Sequence, residues 1–194
     1  MPFNFLLFNS GLNQRLSTGM RHDPHIAPAT RARLPLRPCV GVMLLNRQGL
    51  VWVGRRLPKW FGDKSAYIWQ MPQGGIVSGE APQQAALREL EEETSVRSVE
   101  LLGEAGDWLE YELPKHLLGI ALKGRYRGQR QKWFAMRFTG KDAEIDISAR
   151  NGHKAEFDAW RWARIEELPD LAVSFKRPIY ETLSREFEHF ARST

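Results

Sequence analysis

The residues best suited to chemistry are the glutamates of the segment GGIVSGEAPQQAALRELEEETSV, which spans residues 74–96. The segment holds five glutamates, four of them within five positions, in a chain whose formal net charge is +5. A proline suited to a first helical turn favours a helix over residues 82–94. With a rotation of about 100° per residue, Glu89, Glu92 and Glu93 share one face of that helix. Three carboxylates on one face could together bind a divalent cation.

The energetics of helices argue against a merely solvated acidic face. Like charges at these spacings repel one another, and the negative end of the helix dipole disfavours Glu92 and Glu93. Arg88 can pair with Glu92, which offsets only part of this cost. Mg²⁺ or Mn²⁺ would remove the conflict, because these hard cations prefer carboxylate oxygens and leave positions open for water and phosphate. We therefore expect a metal site on this face, with Glu91 pointing away as a solvated charge.

The same helix should also have a side that packs against the core. The residues that we expect to be buried there are Ala86, Leu87, Leu90 and Thr94. Before the helix, the glycines of residues 74–79 allow a tight turn that can bring Glu80 towards the metal site.

Strands and a second helix must hold this segment in place. Two strands around a turn at residues 46–49 are predicted by VGVMLLNRQGLVWVGRR, and a short strand ending at its proline and glycines by WQMPQGG. Further strands are predicted by VRSVELLGEAGDWLEYEL, QKWFAMRFTG and EFDAWRWARIEEL. A C-terminal amphipathic helix is predicted by the spacing of Ile179, Leu183, Phe187 and Phe190. This mixture favours an α/β or α+β sandwich, in which helices cover a mixed sheet.

Composition narrows the class of protein. A chain of 194 residues with 42% hydrophobic and 26% charged residues is typical of one globular domain. A single cysteine, Cys39, excludes an internal disulfide framework and a cysteine-based zinc site. The apolar run VGVMLL is too short to span a bilayer, so we expect a cytoplasmic protein without a membrane partner. The absence of a G-x4-GK-[ST] motif excludes a P-loop NTPase.

Basic residues are concentrated away from the acidic segment. Residues 1–37 carry five arginines and one aspartate, and residues 113–141 carry eight lysines and arginines with no acidic residue. Such patches favour polyanionic partners such as nucleotides or RNA. We expect residues 1–33 to form a disordered arm, with an organelle transit peptide as the alternative, and residues 34–194 to form the folded domain.

The spacing G-x5-E-x7-R-E-L-x-E-E-x-S-V closely resembles the signature of the Nudix hydrolases, with Ser95 where the family pattern has glycine. The resemblance implies an α/β/α sandwich with a mixed β-sheet, in which the signature helix lies beside the sheet. It also implies a hydrolase that needs Mg²⁺, Mn²⁺ or another divalent cation and cleaves a phosphoanhydride bond. Catalytic roles are implied for Arg88, which orients the carboxylates, and for Glu89, Glu92, Glu93 and Glu156. Metal contacts are implied for Gly74, Glu80, Glu89, Glu92, Glu93 and Glu156.

Several other stretches resemble the bacterial branch of that family that contains RNA pyrophosphohydrolases and dinucleoside polyphosphate hydrolases: RPCVGVMLLNRQGLVWVGRR, WQMPQGGI, GQRQKWFAMRF, EFDAWRW and SFKRPIY. The resemblance implies conversion of 5′-triphosphorylated RNA to 5′-monophosphorylated RNA and pyrophosphate, a step in mRNA decay. The alternative main activity is hydrolysis of diadenosine tetraphosphate to ATP and AMP. DNA is not an expected partner. Substrate contacts are expected at Arg37, Arg55, Gln73, Arg125, Arg130, Lys132, Phe175 and Lys176.

Alternatives remain for single residues and for the function. Arg125 can be a plain surface charge, Phe175 a core residue and Glu156 a surface carboxylate. The general base can be Glu92 or Glu93, with Glu156 as a rival. A Nudix hydrolase of another nucleotide such as ADP-ribose, or a catalytically silent domain that binds nucleotide or RNA, is a further possibility. The sequence indicates no oligomeric state.

Overall fold

A computed structural model describes residues 33–59, 68–148 and 154–192. The expected N-terminal arm lies outside these ranges except for Arg33. The strands are β1 (Leu36–Leu45), β2 (Val51–Arg56), β3 (Trp69–Gln70), β4 (Gln73–Gly75), β5 (Val99–Glu104), β6 (Leu109–Glu112), β7 (Gly128–Phe138) and β8 (Phe157–Ala163). The α-helices are α1 (Pro82–Thr94), α2 (Leu168–Leu171), α3 (Arg177–Glu186) and α4 (Glu188–Ala191). Short 3₁₀ segments lie at Lys115–Leu117, Ala121–Gly124, Asp142–Glu144, Ile165–Glu167 and Ser174–Lys176.

The strands form one mixed sheet with β1 near its centre. β1 runs parallel to β7 over ten paired positions, from Leu36 opposite Gly128 to Leu45 opposite Arg137. The main path through the sheet is β3-β2-β1-β7-β5, while β4 pairs with β1, β6 with β7 and β8 with β2. The segment WQMPQGG therefore forms two short strands on different neighbours rather than the single strand expected.

Hydrophobic side chains alternate between the two faces of β1, and each face has its own core. Val40, Val42 and Leu44 pack on one face with Leu90 of α1. Met43 and Leu45 pack on the other face with Ile179, Leu183 and Phe187 from the C-terminal helices, and Phe190 joins the same core. The expected α/β/α sandwich is confirmed. The C-terminal amphipathic segment forms two helices, α3 and α4, that meet at Phe187, rather than the single helix expected.

The buried arc of helix α1 lies closer to its glutamates than the sequence indicated. Its buried residues are Ala85, Ala86, Leu90 and Thr94. Leu87, which was expected to be buried, is 40% exposed. The prediction for Leu87 was wrong because the sheet covers the arc that contains Ala85 as well as Leu90, and Leu87 falls beyond its edge. The carboxylates of Glu89 and Glu93 are half-buried as a result.

The end of α1 is formed by a serine in a conformation that glycine adopts more easily. Ser95 has φ 63° and ψ 3°, and its N–H donates to the carbonyl oxygen of Glu91. The Ser95 hydroxyl donates to the carbonyl oxygen of Asp146 at 3.1 Å, and the N–H of Asp146 donates to the carbonyl oxygen of Thr94 at 2.9 Å. These bonds hold the helix end without glycine.

Candidate active site

Four carboxylates meet at one cavity beside α1. The cavity measures about 150 Å³ and is lined by Glu89, Glu92 and Glu93 from α1 and by Glu156, which immediately precedes β8. The helix repeat places the first three on one side, and the pairing of β8 with β2 carries Glu156 to the same place. Glu91 points away and pairs with Arg97 at the surface, as expected. We call this space the carboxylate cavity.

Arg88 ties the carboxylates to the turn before the helix. Its guanidinium donates to both oxygens of Glu80, at 2.7 and 2.9 Å, and to the carbonyl oxygen of Gly75 at 2.9 Å. Nη1 reaches Glu89 at 2.9 Å and Glu92 at 3.3 Å. The hydrogen bond with Arg88, followed by one from the Val77 N–H, lowers the pKa of Glu80 to about 2. Glu80 therefore holds Arg88 with both oxygens, and its expected metal contact stays a prediction.

Burial and neighbouring negative charges disfavour the ionised forms of Glu89 and Glu93. Burial raises the pKa of Glu89, while Arg88 acts in the opposite direction. Burial also raises the pKa of Glu93 well above its ordinary value, and repulsion from Glu156 and Glu89 adds to this. The N–H of Gln73 donates to Glu93 Oε2 at 3.1 Å. A bound cation would favour the charged forms of Glu89 and Glu93, which burial and repulsion thus disfavour.

This donor set fits a hard divalent cation, because it consists of carboxylate oxygens around one cavity. In the described ranges, no group of three or more His, Cys, Asp or Glu side chains is arranged so that it could hold a metal as it stands. Glu89 and Glu92 are turned towards Arg88, and Glu93 towards the Gln73 N–H. To bind one ion together, these carboxylates would have to leave the partners that they have in this structure.

A second cavity, whose lining includes four cations and two aromatic rings, adjoins the first. It measures about 120 Å³, and Glu156 and Gly74 take part in its lining. Because Glu156 lines both spaces, they meet at that side chain. We call the second space the cationic cavity. Its charged and aromatic lining consists of Arg37, Arg56, Lys59, Lys176, Tyr111 and Phe175.

Lys176 lies at the inner wall of the cationic cavity. Its Nζ donates to Gln73 Oε1 at 3.0 Å and lies 5.3 Å from the centre of the Tyr111 ring. Burial, followed by the charges of Lys59 and Arg56, lowers the pKa of Lys176 to about 7. The rings of Tyr111 and Phe175 are 5.3 Å apart and tilted by 37°. The structure thus places Arg37, Gln73, Phe175 and Lys176, four of the expected substrate contacts, around one cavity.

Arg56 rather than its neighbour Arg55 reaches this cavity. The pairing of β2 with β8 is irregular between the two arginines, and such bulges re-aim side chains. Arg56 is 7% exposed and its Nε lies 3.8 Å from Glu156 Oε1. Arg55 instead pairs with Asp158 through bonds of 2.7 and 3.0 Å and lines neither cavity. The sequence shows two adjacent arginines and no sign of which one turns inwards.

Three other expected substrate contacts lie apart from both cavities. Arg130 pairs with Glu110 and lies over the Trp108 ring, and Lys132 binds Ala105 and Glu104. Arg125 is exposed.

Arg130 and Lys132 lie apart from the cationic cavity because side chains alternate along β7, and the alternation places Gln129 and Gln131 on the side of that cavity. Gln129 lines it, and Gln131 Nε2 donates to Gln73 Oε1 at 2.8 Å. The sequence did not indicate that these two glutamines, Tyr111, Arg56 or Lys59 would lie at this cavity.

Within the described ranges, no helix is long and apolar enough to span a bilayer.

Comparison with known proteins gives a family match and named relatives. A model of the NUDIX domain matches residues 35–183. "RNA pyrophosphohydrolase" of Mesorhizobium japonicum (strain LMG 29417 / CECT 9101 / MAFF 303099) is 56% identical over 172 residues, which cover 87% of this chain and 99% of that protein. "RNA pyrophosphohydrolase" of Rhodopseudomonas palustris (strain BisB18) is 59% identical over 160 residues, which cover 82% and 91%.

Solved structures share the fold at low sequence identity. A C. elegans Ap4A hydrolase has a TM-score of 0.53 at 14% identity, covering 78% of this chain and 96% of that one. The E. coli dihydroneopterin triphosphate pyrophosphohydrolase has a TM-score of 0.55 at 19% identity, covering 78% and 99%. At these identities the likeness concerns the fold alone.

Proposed function

The chain belongs to the Nudix family, and from that premise we propose that it is an RNA 5′-pyrophosphohydrolase, which converts 5′-triphosphorylated RNA to 5′-monophosphorylated RNA and pyrophosphate. Relatives with that name are 56% and 59% identical over more than four fifths of the chain. The structural observation that carries the proposal is the position of Glu156, which lines both cavities. A phosphoanhydride at this junction has carboxylates on one side and cations on the other.

Nudix hydrolases generally use divalent cations, and we assign Mg²⁺ or Mn²⁺ to the carboxylate cavity. Glu89, Glu92, Glu93 and Glu156 would hold the ion, with Gly74 beside Glu89 as a further contact. When bound, the ion supplies an activated water and neutralises negative charge that develops on the phosphates.

The cations of the second cavity bind and orient the polyphosphate. Arg37, Arg56 and Lys176 surround a space where charge-assisted hydrogen bonds to phosphate oxygens can form. Phe175, packed against Tyr111, offers a face on which the first base of the RNA can stack. Positioning and charge neutralisation of this kind dominate catalysis of phosphoryl transfer.

Glu93 is the general base that the site favours. Burial and repulsion from Glu156 and Glu89 raise the pKa of Glu93, so this carboxylate binds a proton more readily than an ordinary glutamate, as a general base must. The Gln73 N–H donates to Oε2 and keeps that oxygen in a fixed place. Glu93 would accept the proton of the attacking water.

Parallel assays test this function. The full chain is incubated with Mg²⁺ and either triphosphorylated RNA or diadenosine tetraphosphate, and kcat/KM is compared. The proposal expects release of pyrophosphate from RNA with the higher kcat/KM. A higher value on diadenosine tetraphosphate would make dinucleoside polyphosphate hydrolysis the main activity, and no cleavage of either substrate would refute both.

A further inference from the structure

Lys59 occupies the border between the two cavities. Its Nζ lies 2.7 Å from Glu156 Oε1, and it lines the cationic cavity. The Lys59 side chain is 53% exposed, whereas that of Glu156 is 22% exposed. An ammonium that is still half in solvent can change partners at little cost in desolvation, while the carboxylate it touches stays in place.

The partner of Lys59 is a carboxylate that also belongs to the proposed metal site. Glu156 lines the carboxylate cavity together with Glu93, and each of these two acids repels the other. Lys59 acts on Glu93 in the opposite direction, as an attractive charge. In the ion-free protein, Lys59 therefore supplies part of the positive charge that a divalent cation would otherwise supply.

We propose that Lys59 is an exchangeable counterion: it holds Glu156 in the ion-free protein, and it passes to the polyphosphate of the substrate when a divalent cation takes over Glu156. The proposal rests on the proposed function. It makes Lys59 a substrate-positioning residue that opposes cation binding and favours substrate binding.

Loss of the Lys59 charge should change the affinities for the cation and for the polyphosphate in opposite directions. Without the ammonium, a divalent cation meets one competing charge fewer at Glu156, where Arg56 remains with its Nε at 3.8 Å, so its binding becomes tighter. Without the same ammonium, the polyphosphate loses a charge-assisted hydrogen bond, so its binding becomes weaker. A residue that merely supported the fold would weaken both.

The test measures cation and substrate binding separately. Mn²⁺ binding to the ion-free full chain is followed by electron paramagnetic resonance, and KM for triphosphorylated RNA is measured at saturating Mg²⁺. For Lys59→Gln we expect the Kd of Mn²⁺ to fall at least about threefold, and KM to rise about tenfold or more. Lys59→Arg should stay near the unchanged protein in both, because a guanidinium can make both contacts.

Lys141→Gln is the matched control, since it removes the same charge from a residue that lines neither cavity. It should leave both quantities unchanged. An unchanged or weaker Mn²⁺ affinity in Lys59→Gln would overturn the proposal, and so would an unchanged KM. Circular dichroism of each variant checks folding. Lys59→Met removes the same charge with a side chain of similar length, and it keeps the test decisive if Lys59→Gln does not fold.

Failure of the proposed function gives a different result. In that case the unchanged protein neither binds Mn²⁺ at the carboxylates nor releases pyrophosphate from RNA. If it does both and Lys59→Gln shows no opposite shifts, only the role of Lys59 is refuted.

Discussion

Gly74 of β4 lies so close to Glu89 of α1 that a β-carbon at position 74 would overlap with the Glu89 carboxylate. The carboxylate therefore fits only against bare backbone. Arg88 holds the same carboxylate from its other side through a bond of 2.9 Å. Glu89 is thus confined between the sheet and a guanidinium, which restricts where it can present an oxygen to the carboxylate cavity.

Gly74→Ala should therefore damage the site through crowding. We expect kcat/KM on triphosphorylated RNA to fall at least about tenfold, because the Glu89 carboxylate must leave this position. The free energy of unfolding should fall by less than about 1–3 kcal/mol, the cost of overpacking a rigid core, because the displaced atoms are the end of a flexible side chain. Gly106→Ala is the control, because a β-carbon there would meet only Glu186 Oε1, at 3.6 Å. Kinetics and urea unfolding provide the measurements, and equal effects of the two variants would contradict this view of Gly74.

Glu93→Gln separates charge from shape at the proposed base. The amide cannot accept a proton from water, so kcat should fall by about 10²- to 10⁴-fold while the protein remains folded. Glu91→Gln makes the same change two residues away, where the side chain pairs with Arg97 on the surface. It should keep nearly full activity. Substantial turnover by Glu93→Gln would rule out this role for Glu93.

Ser95 affects the free energy of unfolding in two opposing ways: its hydroxyl forms a stabilising hydrogen bond, and its left-handed backbone is strained. Ser95→Ala keeps the left-handed conformation and loses the bond to Asp146, so we expect a loss of about 1 kcal/mol in the free energy of unfolding. Ser95→Gly loses the same bond but relieves about 1 kcal/mol of backbone strain, and should lie close to the unchanged protein. Urea unfolding distinguishes these results. A glycine variant less stable than the alanine variant would contradict the strain argument.

The sequence predicted the features that depend on local spacing. Pro82 and the apolar repeat led to the observed limits of α1, and the angle between successive residues brought Glu89, Glu92 and Glu93 together. Features set by distant strands could not be predicted in this way. The buried arc of α1 depends on how the helix lies on the sheet, and so Leu87 was misplaced.

Local spacing also could not predict which face of β7 meets the cationic cavity. Alternation implies that Arg130 and Lys132 share one face of β7 and that Gln131 takes the other. It does not tell which face meets the cationic cavity, since this depends on how β1, β6 and the C-terminal helices pack around β7. Basic residues were therefore favoured over the glutamines that the structure places there.

Lys176 should couple substrate binding to proton uptake. Burial and two nearby cations lower its pKa to about 7, so the side chain is mostly neutral at pH 8 and mostly charged at pH 6. A bound phosphate favours the ammonium form and raises this pKa. Binding of a triphosphorylated dinucleotide with a methylene bridge between its α and β phosphates should therefore take up protons at pH 8, with far less uptake at pH 6. Calorimetry in two buffers of different ionisation enthalpy measures the uptake, and equal binding enthalpies in both buffers at pH 8 would contradict it.

Because of the bulge in β2, Arg56 and its neighbour Arg55 point to different places, so Arg55 is a matched control for Arg56. Arg56 is buried at the cationic cavity, whereas Arg55 binds Asp158 outside it. Because a hydrogen bond between charged groups contributes about 1.5–3 kcal/mol, Arg56→Gln should raise KM for triphosphorylated RNA by about 10- to 100-fold. Arg55→Gln should change KM less than about threefold, since Arg55 pairs with Asp158 and lines neither cavity. If Arg55→Gln has the larger effect, Arg55 is the substrate contact, and the register irregularity does not decide which arginine meets the polyphosphate.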